Sequence, residues 1–203
     1  QLLQRADQRC LCAPSGQSAD DFDSGVGHEL AGGSLGEESG DSGGLDKDQA
    51  PGVIQVVQRL DALAVVDLES AKVVWAHAGS YKKQHDPRSL DSGRVLLFDN
   101  RGAGETASRI LELDPGTGEL EVIYGARPGQ GFTSAFCGTS MRLGNGNTLV
   151  TESDQGRAFE FTPAGEIVWE FYNPARAGEN DEFVASLFEV ERIELGFVEG
   201  WLK

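Results

Sequence analysis

"RILELDPGTGELEVIYGA" occupies residues 109–126. Two short apolar runs flank "PGTG" at 115–118, a Pro- and Gly-bearing connection of the kind that turns one strand back on the next. The second run belongs to a repeat. "KVVWAHAG" (72–79), "ELEVIYGA" (119–126) and "EIVWEFYN" (166–173) align without gaps at steps of 47 residues. Trp75, Val122 and Trp169 then coincide, as do Val73, Leu120 and Ile167. Upstream of each lies a partner strand: "LAVVDLE", "RILELDP" and "AFEFTPA". A second repeat precedes them. "LDSGRVLLFD" (90–99) aligns on "LGNGNTLVTE" (143–152), 53 residues on, with Leu90/Leu143, Gly93/Gly146 and Leu96/Leu149 identical.

Together these repeats give four short strands per unit, over Pro87–Gly125 and Ser140–Asn173, with a partial unit before them from Val53. Hairpin-linked strands at this period predict an all-β chain, a β-propeller of about three four-stranded blades. "DEFVASLFEVERIEL" (181–195) alternates well enough to be assigned to a closing strand. A propeller closes with at least four blades, so the sequence is expected to be part of a larger protein. It starts at Gln1 without a basic-then-apolar leader, as a processed product or fragment would.

The domain division expected is a disordered segment at 1–52 and a partial propeller at 53–203. The first segment carries ten acidic and three basic residues, is rich in Gly and Ser, and has no long apolar run to offset chain entropy. The net charge of −16 repels phosphate backbones, so nucleic acid is not an expected partner. No apolar stretch is long enough to span a bilayer. Cys10, Cys12 and Cys137 make an odd count without metal-ligand spacing, and no structural disulfide framework is expected.

"GDSGG" (40–44) matches the string around a trypsin-like nucleophile and would nominate Ser42. His28, only 14 residues upstream, and the Gly/Ser/Asp-rich setting argue against it, because a triad is a geometry on a scaffold. No phosphate-cradling loop or dinucleotide fingerprint occurs, and no cofactor or metal is expected. The acidic side chains read as solvated strand ends, with Ca²⁺ bridging as the lesser alternative.

The informative cluster is "KKQHDPRSLDSGRVLLFDNRGAGETASRILELD" (82–114). His85 precedes the first strand of a unit, which in a propeller faces the central channel. Its repeat partner is Gly138, so the unit does not require His there. Asn100, Arg101 and Arg109 surround a Gly-rich connection, and Arg142 on an inner strand is a further candidate to face the channel. A neutral imidazole is a competent nucleophile, and guanidinium groups suit a tetrahedral oxyanion. The other readings are an ordinary strand-end His85 and an exposed loop Arg101. Trp75, Trp169 and Tyr124 are expected to pack between units.

"QHDPRSLDSGRVLLFDN", "SRILELDPGTGE" and "GTSMRLGNGNTLVTESDQGRAFEFTPAGEIVWEFYNP" resemble the arylsulfotransferase family of bacterial-type, propeller-shaped enzymes, over about residues 60–193. The resemblance implies nucleotide-independent transfer of a sulfuryl group from an aryl sulfate ester to a phenol, through a sulfo-histidine. It implies that His85 is either the nucleophile or a neighbouring oxyanion-binding residue. The family's Gln-His falls on Gln84 and His85. Arg101 and Arg109 would then bind sulfate oxygens as catalytic residues, and the site of action would be periplasmic or secreted; Asn100 and Arg142, nominated by position, are expected to contact substrate. His77, the one other histidine after residue 52, falls on an outer strand. The alternative is a non-catalytic propeller that binds a partner or ligand, since "AVVDLESAKVVW" also resembles quinoprotein-type repeats.

Overall fold

The same turn is built twice. Gly93 donates its N–H to the Leu90 carbonyl at 2.9 Å, and Leu90 donates to Arg94 at 2.9 Å. Fifty-three residues later Gly146 donates to Leu143 at 2.9 Å and Leu143 to Asn147 at 2.8 Å. Both glycines lie in the left-handed region, at φ 82° and 87°, where a Cβ is disfavoured. The computed structural model describes residues 52–200 apart from 105, 194 and 199, all within one compact unit, residues 43–203. The segment expected to be disordered, together with Ser42, His28, Cys10 and Cys12, lies outside the described residues save Gly52, which opens the first strand.

The described chain is all-β, with four antiparallel sheets. The first sheet has three strands, β1 (Gly52–Val57), β2 (Ala62–Asp67) and β3 (Lys72–Ala78). The second has four in chain order: β4 (His85–Ser89), β5 (Val95–Ala103), β6 (Ala107–Leu113) and β7 (Leu120–Tyr124). The third repeats that order with β8 (Thr139–Arg142), β9 (Thr148–Glu152), β10 (Arg157–Phe161) and β11 (Ile167–Tyr172). Two residues each of β12 (Arg176–Ala177) and β13 (Phe183–Val184) form the fourth. One helical turn, α1 (Leu195–Val198), follows. No helix among the described residues is long and apolar enough to cross a membrane.

Strand alternation explains why the sheets associate. Successive side chains point to opposite faces, so β5 and β6 present two apolar sets. Val95, Leu97, Leu111 and Leu113 meet Leu63 and Tyr81, with Ile54, Val56 and Trp75 of the first sheet packed alongside. Leu96, Phe98 and Ile110 meet Val150, Phe159 and Phe161 of the third sheet, with Tyr124 and Phe132 between them. The middle sheet is thus covered on both faces, as its near-continuous apolar runs require. Each such buried side chain contributes about 1.5–3 kcal/mol over its exposed state. Strand β4, first in its sheet, lies against both β1 and β8, the first strands of the neighbouring sheets.

Two expectations need correction. Residues 181–195 do not form a closing strand: only Phe183–Val184 pairs, and most of the stretch is irregular. Its polar groups are taken up singly rather than by a ladder. Leu187 donates to the Ser153 carbonyl, Val190 to Thr151 Oγ1, and Arg192 pairs with Glu160. Phe183 and Phe188 stay 62% and 68% exposed, so alternation there marks no buried face. Second, Cys137 is disulfide-bonded. An odd count of three leaves room for one bridge.

Candidate functional site

His85 opens β4 opposite Phe98, and the pairing then slips by a bulge before Arg88. Lys83 and Asp86 on either side of His85 adopt left-handed φ values of 55° and 50°. Such conformations in non-glycine residues persist only where surrounding contacts hold them. Asp86 is held by Arg88, whose Nε is 2.9 Å from its carboxylate, and by the backbone N–H of Ser140 at 2.8 Å. Burial raises the Asp86 carboxyl above its ordinary value, with Arg88 opposing the shift. The bulge lies beside His85, and Asp86 within it ties the start of β4 to β8.

Both imidazole nitrogens are engaged. Nδ1 lies 2.7 Å from Asn100 Oδ1 and 2.9 Å from the Lys83 carbonyl. Nε2 lies 3.0 Å from Gln58 Nε2. The amide orientations are assigned by their other partners. Asn100 Nδ2 donates to the Ser134 and Cys137 carbonyls at 2.7 and 2.9 Å, leaving Oδ1 as acceptor. Gln58 Nε2 also donates to the Gln84 carbonyl at 3.2 Å, so its second proton points to His85. In the neutral ring this network places the proton on Nδ1 and the lone pair on Nε2.

Asn100 is 1% exposed and every polar atom of its side chain is used, so it supports His85 rather than facing solvent. Gln84 is fully buried and donates to the Ala62 carbonyl at 2.8 Å, tying the residue before His85 to the first sheet. Gln58, on the 3-10 turn after β1, is a contact that sequence reading missed, because it comes from a different sheet than the cluster at 82–114.

The arginines separate. Arg101 follows Asn100; its Nε reaches the Ala135 carbonyl at 3.4 Å and its guanidinium lies 5.6 Å over the exposed Phe136 ring. Arg109 pairs with the fully buried carboxylate of Asp99 at 2.5 Å and also donates to the Ser80 carbonyl. Arg142 pairs with Glu112 at 2.5 Å across the second and third sheets, and Arg94 shares that carboxylate at 3.2 Å. The structure thus joins His85 to Asn100 directly and commits Arg109 and Arg142 to carboxylates. His77 Nδ1 is 3.1 Å from the Tyr81 hydroxyl, whose pKa burial pushes up to about 12. Among the described residues no group of three His, Cys, Asp or Glu side chains is placed to hold a metal ion.

Stacked antiparallel sheets, with a histidine clamped at the start of one strand, define an all-β protein with one preorganised imidazole. The sequence profile described as Arylsulfotransferase (ASST) matches residues 53–174, and the chain belongs to that family. No curated protein matches the chain. Among solved structures it is similar to a protein of unknown function from Bacteroides caccae, at 19% identity and a TM-score of 0.36. That match covers 56% of this chain and 39% of the other, so this chain spans well under half its length.

Proposed function

We propose that this chain is an aryl sulfotransferase of the nucleotide-independent kind, with His85 as nucleophile. Family membership combined with an imidazole whose lone pair sits on Nε2 is the observation that supports this reading. In the first half-reaction Nε2 attacks the sulfur of an aryl sulfate ester. The N–S bond forms as the bond from sulfur to the aryl oxygen breaks, and the electron pair leaves on the phenolate. In the second half-reaction an acceptor phenol's oxygen attacks the same sulfur, the S–O bond forms, the N–S electrons return to Nε2, and the phenol's proton goes to solvent, balancing the proton taken up by the phenolate released in the first. The Gln58 amide must swing from Nε2 to admit the sulfur, and its bond to the Gln84 carbonyl can pivot that movement. Arg101, which meets a carbonyl and an aromatic face, is the cation we assign to the sulfate oxygens.

The three larger sheets are, on this reading, consecutive blades of a propeller. The support is their shared strand order and the contacts of β4 with both β1 and β8, which is what first strands facing one axis would make. The compartment we propose is periplasmic or secreted, by family analogy. A non-catalytic binding module is the second reading, favoured by β11, where every residue is exposed, Trp169 and Phe171 included. Incubating the protein with an aryl sulfate and an acceptor phenol separates the two. Sulfated acceptor and released phenol are expected; their absence with a range of acceptors would leave the binding module.

A further inference from the structure

We propose that Asn100 is the positioning residue that makes His85 reactive, holding the ring as its Nδ1–H tautomer and taking up the charge that develops on it. The inference rests on His85 being the nucleophile.

The physical case starts with what Asn100 is fixed to. Its amide donates to two carbonyls of the β7–β8 connection, Ser134 and Cys137, inside a site where it is 1% exposed. That connection is itself braced: Ser134 Oγ donates to the Cys137 carbonyl at 2.5 Å, and Ser134 N–H donates to Ser108 Oγ at 2.9 Å. Ser108 Oγ in turn donates to the Asn100 carbonyl at 3.0 Å, closing the loop of bonds. The carboxamide cannot flip without leaving two carbonyls facing an oxygen, so Oδ1 is a permanent acceptor toward Nδ1. The Lys83 carbonyl accepts from the same proton at 2.9 Å but belongs to a left-handed residue just before His85's strand.

The consequence appears during transfer. A neutral imidazole that takes a sulfuryl group on Nε2 while keeping its Nδ1 proton becomes cationic. Hydrogen bonds to a charged donor are roughly twice as strong as neutral ones. The Asn100 contact therefore strengthens as the N–S bond forms and favours the transition state over the ground state, which raises kcat and leaves KM unchanged.

Nitrogen-15 NMR of histidine-labelled full chain, with the ring in its neutral form, reads the tautomer without any need for turnover. His85 is expected to show a single species with Nδ1 protonated and Nε2 unprotonated, and a through-hydrogen-bond coupling from Nδ1 to the Asn100 side-chain carbonyl carbon. Asn100→Ala should give a tautomer mixture and lower kcat on the order of tenfold to a hundredfold with KM retained, as loss of partners that orient a reactive His does. Should Asn100→Ala fail to fold, the parent spectrum still decides. An Nε2-protonated or mixed parent, or an Asn100→Ala variant with unchanged tautomer and kcat, overturns the proposal. A parent with the expected tautomer and no sulfuryl transfer instead overturns His85 as nucleophile and leaves the Asn100 contact standing.

Discussion

The carboxylate of Asp99, with no exposed side-chain surface, holds the guanidinium of Arg109 at 2.5 Å. Its other oxygen accepts the Lys82 backbone N–H at 2.9 Å, two residues before Gln84, so the pair fastens the approach to β4 onto β5. Removing the cation would leave a buried charge uncompensated. Arg109→Met is expected to cost about 3–5 kcal/mol in urea unfolding. Were Arg109 instead a sulfate-binding residue, the variant would lose activity at nearly unchanged stability.

Arg101 provides the contrast. It is half-exposed, and its side chain meets a carbonyl and an aromatic face. Arg101→Ala should shift stability by no more than about 0.5 kcal/mol, the range of surface substitutions. If it binds the sulfate group, KM for the aryl sulfate should rise roughly tenfold, the size of one charge-assisted hydrogen bond. Steady-state kinetics beside a denaturation curve resolve both.

Gly138 answers why the repeat partner of His85 carries no side chain. A Cβ there would sit 2.4 Å from the Phe98 ring, at a φ of 148°. Phe98 is fully buried and pairs with His85 across β4 and β5. Gly138→Ala is expected to destabilise by about 1–3 kcal/mol, as overpacking of a filled core does. A melting temperature equal to the parent's would show that the ring yields freely.

Glu160 supplies a pH-dependent term. Hydrogen bonds from Asn147, then Asn145, together with Arg192 hold its carboxyl below the usual value, against the opposing effect of burial. A depressed carboxyl favours the folded state above the unfolded-state pKa, and that contribution is lost as pH falls through the folded-state value. Glu160→Gln should therefore lie furthest below the parent near neutral pH and converge on it in acid. Urea midpoints across that range measure the gap; a gap that widens toward acid contradicts the assignment.

The strand order was legible because each hairpin carries its own local chemistry, such as the glycines at 93 and 146 whose turns recur bond for bond. The unbroken apolar run "VLLF" (95–98) suits a strand covered on both faces, as the two core clusters have it, though the repeat alone did not reveal it. The stretch 181–195 was misread because alternation reports a pattern, whereas pairing needs a free edge in register; here single side-chain and loop oxygens take the amides instead. Within the site, His85 and Asn100 were visible as polar residues flanking one strand turn, and the structure places them in contact. Gln58 was not, since only tertiary packing brings it across from the first sheet. Nor could spacing separate Arg109 from Arg101: their difference lies in a buried carboxylate ten residues away from one of them.

Whether the imidazole of His85 carries the sulfuryl group is decided by trapping it. The protein would be mixed with a radiolabelled aryl sulfate without acceptor, quenched in base, digested and mapped. Label on the peptide containing His85, absent from His85→Ala and discharged when a phenol is added, is the expected result. Transfer to the phenol that proceeds equally in His85→Ala, or label residing on a different residue, would contradict the account.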